Sequence, residues 1–311
     1  MTSLTLFTPA GVLLNGNAVR LAAKRLKGLG YAVQIDAAAL LKHQRFGGDD
    51  DVRLAAVHRV AQQAPGIALA TRGGYGLTRL LDHIDWRLLV RSVERGTRWV
   101  GHSDMTTLQL GLLAHAKARP RGRASAGALS RGAALAWAGP LAADDFGGEA
   151  VDDVTQACFV EAMGGELEAV GFRAEAGFDG LSAAGTLWGG NLCMVNSLLG
   201  TPHWPEVKGG ILFLEDVNEH PYRIERNLLQ LHQAGVLAAQ KAVLLGAFTN
   251  YKKSPLDRGF TLKTVVQHLR SLTRTPILTG LPFGHVPTKV CLPVGARVQL
   301  LVQGREVLLG W

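Results

Sequence analysis

Arg98-Trp99-Val100-Gly101-His102-Ser103-Asp104 reads as a short apolar strand that ends on a glycine, turns, and delivers a serine to a helix over residues 105–116. A strand running through a tight turn into a helix is the repeating unit of a parallel sheet. The unit recurs upstream. Residues 4–7 form a strand pattern broken by Pro9 and Gly11, and Val19, Ala22, Ala23, Leu26 and Leu29 follow at helical spacing, with Gly28 and Gly30 as stop signals. Residues 31–35 read as a second strand. Residues 49–63 read as a helix, with acids in its first turn and Pro65-Gly66 after it. Residues 67–70 make a third strand that runs into Arg72-Gly73-Gly74-Tyr75-Gly76, and a short helix follows at 77–82. The alternation predicts an α/β fold, a parallel sheet with helices on both faces. Ligands in such sheets bind at the carboxyl ends of the strands, where the loops 71–76 and 101–104 stand.

The pattern changes downstream. Residues 125–148 are rich in Ala and Gly, and 151–163 read as one helix. A linker is therefore placed at 141–167, between an α/β domain over 1–140 and a β-rich domain over 168–311. Strand patterns lie at 211–214, 242–245, 277–279 and 298–302. The last continues to 309 as a hairpin turning near Gln303-Gly304. Helices are expected near 222–234 and 262–271.

Composition narrows the function classes. Of 311 residues, 38 are glycine, an excess over the usual level of roughly 7 %. The glycines follow no collagen period, and an apolar share of 47 % supports a substantial core. No apolar run reaches the roughly 18–20 residues of a membrane helix, and the first residues lack the basic start of a secretory signal. Cys158, Cys193 and Cys291 are too scattered for a disulfide framework or a zinc site and read as buried thiols. The formal charge of +8 admits a polyanion. However, the basic clusters, Lys24-Arg25-Lys27 and Lys117 to Arg123, carry no interleaved aromatics and read as solvated helix ends, so no nucleic-acid partner is expected. No histidine spacing matches a metal site.

Four segments can carry chemistry. Gly101-His102-Ser103-Asp104 has the setting of a nucleophile elbow, although Met105 stands where the motif has glycine. On spacing alone Ser103 is either a nucleophile or a plain helix cap. Arg72-Gly73-Gly74-Tyr75-Gly76 allows close backbone approach to a ligand or is simply a tight turn; no phosphate-loop spacing is present. Residues 208–219 run four apolar positions into Glu215 and Asp216, acids that orient a histidine or are merely solvated. Leu281-Pro282-Phe283-Gly284-His285-Val286-Pro287 presents a histidine in a shaped loop.

Taken together and in this order, these segments resemble the LD-carboxypeptidase family, the muramoyltetrapeptide carboxypeptidases. The resemblance covers nearly the whole chain. It also takes in Phe46-Gly47-Gly48-Asp49-Asp50, Gly189-Gly190-Asn191-Leu192 and Pro221-Tyr222-Arg223-Ile224-Glu225-Arg226. It implies a flavodoxin-like N-terminal domain, a barrel-like C-terminal domain, and a serine-peptidase site between them. The nucleophile falls on Ser103, the acid on Glu215 and the base on His285, with no metal or cofactor. The implied substrate is murein tetrapeptide, cut between a diamino acid and its terminal D-alanine in cytoplasmic peptidoglycan recycling, by a protein that is commonly a dimer. On this reading the oxyanion donors are the backbone N–H groups of Asp104 and Gly74. Arg72, Tyr75 and Arg223 are the candidate substrate contacts, Arg72 as a carboxylate clamp. His102 is the rival base and is expected to point away from Ser103. Ala138 stands where the family often has histidine, and the first loop reads Thr8-Pro9-Ala10-Gly11, which leaves fine substrate preference open. The alternatives are a relative of the microcin self-immunity peptidases, with Trp188 or Trp204 stacking a nucleobase, and a non-catalytic polyanion- or peptidoglycan-binding protein.

Overall fold

A computed structural model describes residues 1–117 and 133–311. Most of the basic cluster at 117–123 and the first part of the Ala/Gly-rich run lie outside the described residues. Along the chain, β1 (Ser3–Phe7), α1 (Gly16–Gly28), β2 (Ala32–Ile35), α2 (Asp50–Gln63), β3 (Ile67–Ala70), α3 (Trp86–Glu94), β4 (Arg98–Gly101), α4 (Met105–Lys117) and β5 (Ala136–Ala138) alternate. α5 (Asp153–Gly164), β6 (Ala169–Arg173), β7 (Ser182–Asn191), α6 (Leu192–Ser197), β8 (Ile211–Val217), α7 (Pro221–Gln233), β9 (Ala242–Thr249), α8 (Leu262–Leu272), β10 (Ile277–Thr279), β11 (Leu292–Val294), β12 (Arg297–Gln303) and β13 (Glu306–Gly310) follow.

The first sheet has the order β11-β5-β4-β3-β1-β2. Its first five strands run parallel, and β11 joins antiparallel on β5. Every residue of β3 is buried, as a strand covered on both faces requires. Side-chain caps start the helices: Asp49 accepts from the Val52 N–H at 2.8 Å, Asp85 from Leu88 at 3.0 Å and Asp152 from Thr155 at 2.9 Å. α3 goes beyond the sequence reading, which stopped at residue 82. Its apolar positions Trp86, Leu89, Val90 and Val93 are all buried.

The second sheet has the order β10-β9-β8-β7-β12-β13-β6, parallel from β7 to β10 and antiparallel on the other side. β12 alternates buried and exposed residues, so one of its faces is solvated. The sheet curls until its ends meet: Thr279 Oγ1 at the end of β10 donates to Glu175 Oε2, just past β6, at 2.9 Å. This is the barrel-like element. β7, its longest strand, carries no strand signature because its glycines serve close backbone approach. A β-carbon on Gly189 would stand 1.9 Å from the Phe213 carbonyl oxygen.

The stretch at 141–167 is folded. A π-helical turn at Ala142–Phe146 and α5 bury Phe146 and Phe159, ring centroids 5.2 Å apart, and Arg25 of α1 donates to the Phe146 carbonyl at 2.8 Å. The two sheets meet where β11 packs on β7, and α4 packs on α6, β7 and β11.

Candidate active site

Ser103 sits where β4 turns into α4. Its φ is +62°, a left-handed conformation uncommon for a residue with a side chain, and Gly101 before it has φ +155°. Such a turn lifts the hydroxyl clear of the sheet, and strain of this kind gathers at functional sites. The Thr106 N–H already bonds the Ser103 carbonyl at 2.9 Å, so the helix begins directly behind the serine.

The glycine loop lies against this turn. A β-carbon on Gly73 would stand 2.6 Å from Ser103 Oγ and 3.4 Å from the Asp104 nitrogen. Only glycine leaves that space open, and it is the space a tetrahedral oxyanion would need. The Gly73 carbonyl accepts the Gly11 N–H at 3.0 Å. In a trans peptide this turns the Gly74 N–H to the side opposite Gly11.

Glu215 is fully buried on β8, and its Oε2 lies 2.7 Å from His285 Nδ1. A register shift between Leu214 and Asp216 in the β8–β9 pairing marks a bulge. β8 is buried on both faces over residues 211–216, and the bulge lets the consecutive carboxylates Glu215 and Asp216 share one partner, Asn191. Both are satisfied. Asn191 Nδ2 donates to Glu215 Oε1 at 3.2 Å and to Asp216 Oδ1 at 2.8 Å, and the Cys193 N–H donates to Asp216 Oδ2 at 3.0 Å. The Asn191 N–H in turn donates to Thr106 Oγ1 at 3.0 Å, tying the acid's partner to the serine's helix.

Burial lowers the basicity of His285, but the Glu215 hydrogen bond and charge, with the charge of Asp216, outweigh it, so the imidazole is raised above its ordinary value. His102 differs. Burial, then the neighbouring His285, pushes it down to about 3, and its Nδ1 bonds the Gly139 carbonyl at 2.9 Å. A neutral ring in that bond donates from Nδ1. The His102 ring meets His285 edge-on with centroids 4.9 Å apart, so the turn that carries Ser103 comes up to the His285–Glu215 pair. Among the described residues no hydrogen bond joins Ser103 Oγ to either histidine; such bonds often close only when substrate is bound. A cavity of about 410 Å³ opens here, lined by both histidines, Asp144, Asp145 and Lys289. Lys289 and Asp145 form a buried ion pair.

The remaining candidates are placed as follows. Arg72 is half-buried, with Nη1 on the Val12 carbonyl at 2.7 Å. Tyr75 is 42 % exposed and rests on Phe46 at 5.9 Å, under the Arg45 guanidinium at 5.7 Å. Arg223 is exposed on the first turn of α7 and pairs with Glu219 at 3.7 Å. Trp188 is buried, donates to Gln240 Oε1 at 3.0 Å and packs edge-on to Trp204. It offers no face to a nucleobase. Sequence reading placed Gly73 in the oxyanion loop without the space-keeping role seen here, and it gave no role to Asn191. A polar residue closing a glycine-rich run at a strand end was the available signal for Asn191.

A two-sheet α/β protein that sets a strained serine turn on one sheet facing a histidine–carboxylate pair on the other has the build of a hydrolase. The chain belongs to the LD-carboxypeptidase family. Residues 4–119 match the model of the LD-carboxypeptidase N-terminal domain and residues 184–300 that of its C-terminal domain. It is 28 % identical over 287 residues to a probable murein peptide carboxypeptidase of Bacillus subtilis (strain 168), covering 88 % of this chain and 81 % of that one. Among solved structures, a muramoyltetrapeptide carboxypeptidase from Oxalobacter formigenes superposes with a TM-score of 0.85 at 36 % identity, covering 99 % of this chain and 98 % of the other. The microcin immunity protein MccF in complex with glutamyl sulfamoyl guanosine shares the fold, with a TM-score of 0.82 at 17 % identity over 100 % of this chain and 96 % of its own.

Proposed function

We propose that the protein is a serine carboxypeptidase that removes the terminal D-alanine from murein tetrapeptide. The observation that carries this reading is the 2.7 Å bond between buried Glu215 and His285, set beside the strained Ser103 turn. Serine is a weak nucleophile at neutral pH and needs a positioned base. His285, its Nδ1 held by Glu215, offers Nε2 to the Ser103 proton. Glu215 fixes the tautomer and stabilises the imidazolium that forms. The serine oxygen attacks the carbonyl of the diamino acid, and the N–H groups of Asp104 and Gly74 stabilise the oxyanion in the space left by Gly73. His285 then delivers the proton to the departing D-alanine nitrogen. Water, activated by the same histidine, releases the shortened peptide.

In this reading Arg72, Tyr75 and Arg223 contact the acidic peptide, and neither metal nor cofactor takes part. The 1–140 part supplies the nucleophile and the 168–311 part the acid and base, the protein acts as a homodimer, and its place is cytoplasmic peptidoglycan recycling.

The test is mass spectrometry of muropeptides incubated with the protein. Tetrapeptide should lose one D-alanine, pentapeptide and an acyl-sulfamoyl adenylate should remain intact, and EDTA should change nothing. Ser103→Ala should reduce release to background while the fold persists. Full activity in that variant would remove Ser103 from the mechanism.

A further inference from the structure

The mechanism uses only the backbone of Asp104, yet its side chain is more deeply placed than any surface role needs. Asp104 is 1 % exposed, and Oδ2 accepts the Leu77 N–H at 2.7 Å, at the far end of the glycine loop. The opposite side of the same loop end is held by Arg53, which is 0 % exposed. Its Nη1 donates to the Gly76 carbonyl at 2.9 Å and to the Pro9 carbonyl at 3.0 Å, and its Nη2 pairs with Asp50. Gly76 is squeezed between them: a β-carbon there would stand 2.6 Å from Arg53 Nη1. The Pro9 loop closes the ring, since Gly11 N–H bonds the Gly73 carbonyl at 3.0 Å.

Three loops that leave the carboxyl ends of β1, β3 and β4 therefore share one buried anchor. Arg53 keeps a buried Nε without a hydrogen-bond partner, and the Asp104 carboxylate is met by the backbone N–H groups of Leu77 and Gly76. Leaving a buried polar atom unsatisfied costs about 1–3 kcal/mol, and a buried ion pair is often no more stabilising than apolar residues of the same volume.

We propose that the Asp104 carboxylate, with Arg53 opposite, is the positioning pair that holds the 72–77 loop against the nucleophile turn, so that the Gly74 N–H meets the oxyanion formed on Ser103. This rests on Ser103 being the nucleophile, but not on the identity of the peptide. Asp104 itself touches no reacting atom through its side chain. It acts through the register between its own N–H and the loop, and a displacement of under an ångström there is enough to lose an oxyanion donor.

The experiment measures the rate at which a fluorophosphonate labels Ser103, because that reaction builds an oxyanion on phosphorus without needing the natural peptide. Asp104→Ala should slow labelling about 100-fold or more, in the range of a lost oxyanion donor. Asp104→Asn, whose side-chain oxygen still accepts the Leu77 N–H, should stay within about fivefold of wild type. On tetrapeptide the Ala variant should lose kcat with KM little changed. Arg53→Lys, which keeps the charge but not the two-carbonyl fork, should slow labelling as well and serves if Asp104→Ala does not fold. Equal labelling of wild type, Asp104→Ala and Arg53→Lys overturns the proposal and leaves the nucleophile standing. Equal slowing by Ala and Asn also overturns it, because the loss would then follow charge and not the hydrogen bond. Loop-dependent labelling in a protein that ignores tetrapeptide supports the proposal and removes only the substrate assignment. Absence of labelling in the wild type removes both.

Discussion

At the scale of single residues, Gly73 and Glu215 make the sharpest demands. A methyl on Gly73 would stand 2.5 Å from Ser103 Cβ and 2.6 Å from its Oγ, so the loop or the serine turn must shift, and Gly73→Ala should cost kcat about 10²–10³-fold together with about 1–3 kcal/mol of stability. Steady-state kinetics beside a denaturation curve checks both halves of that statement. Glu215→Gln keeps the shape of the pair but removes the charge that stabilises imidazolium, and should lower kcat by up to about 10⁴-fold. Asp216→Asn and Glu219→Gln should cost far less, since neither accepts a hydrogen bond from His285; the reverse ranking would move the acid to a neighbour. Because Glu215 raises His285, the acid limb of kcat/KM should have its midpoint above 6.5, with activity lost as pH falls through it. A midpoint at or below 6.5 would mean that burial dominates instead.

At the scale of elements, Asn191 shows how a strand, a helix and a site are built from one residue. It ends β7, caps α6 by accepting the Met194 N–H at 3.2 Å, and donates to both buried carboxylates of β8. Asn191→Ala should therefore cost roughly 2–4 kcal/mol, a lost cap plus unsatisfied buried acceptors. Chemical denaturation reads this, and an unchanged midpoint would show that water replaces the amide. The alternating first half was legible because period-3.6 helices with acidic caps, such as α2 behind Asp49, contrast with short apolar strands. α3 was missed although Asp85 caps it in the same way, because it is short and follows two 3-10 turns. β7 was illegible for a different reason. Its Gly185 and Gly189 let neighbouring backbones approach, so the residues that build the strand erase the pattern by which strands are read. At the site, the motifs marked Ser103, Glu215 and His285, whereas the Asp104–Arg53 anchor was hidden because Arg53 sits inside a helix pattern as one more charge.

At the scale of the whole molecule, the two sheets are joined by groups that titrate, and this makes stability depend on pH in a definable way. His115 on the helix behind the serine lies 3.0 Å from His203, which lies beyond α6 and bonds Asp82 at 2.9 Å, while Trp86 stacks on His115 at 4.8 Å. Burial and the neighbouring His203 lower His115, and burial pushes His102 down to about 3. A histidine lowered on folding contributes stability that is full above its unfolded value near 6.5 and is lost as pH falls toward its folded value, because the unfolded chain takes the proton first. Asp104, raised to about 6 by burial, works in the opposite direction, since protonation relieves the cost of a buried carboxylate between about 6 and its ordinary value of 3.8. The overall slope thus mixes opposing groups, and the informative quantity is a difference. In His102→Gln the amide still donates to the Gly139 carbonyl but has no proton to gain. The stability of the variant relative to wild type should be constant above pH 6.5. It should then rise by up to roughly 1 kcal/mol for each pH unit as pH falls from about 6 toward 3. Urea midpoints for both proteins across that range measure it with the carboxylate contributions cancelled. Parallel curves would show that His102 takes up its proton as readily in the folded protein as in the unfolded chain, and would restore it as a candidate base beside Ser103.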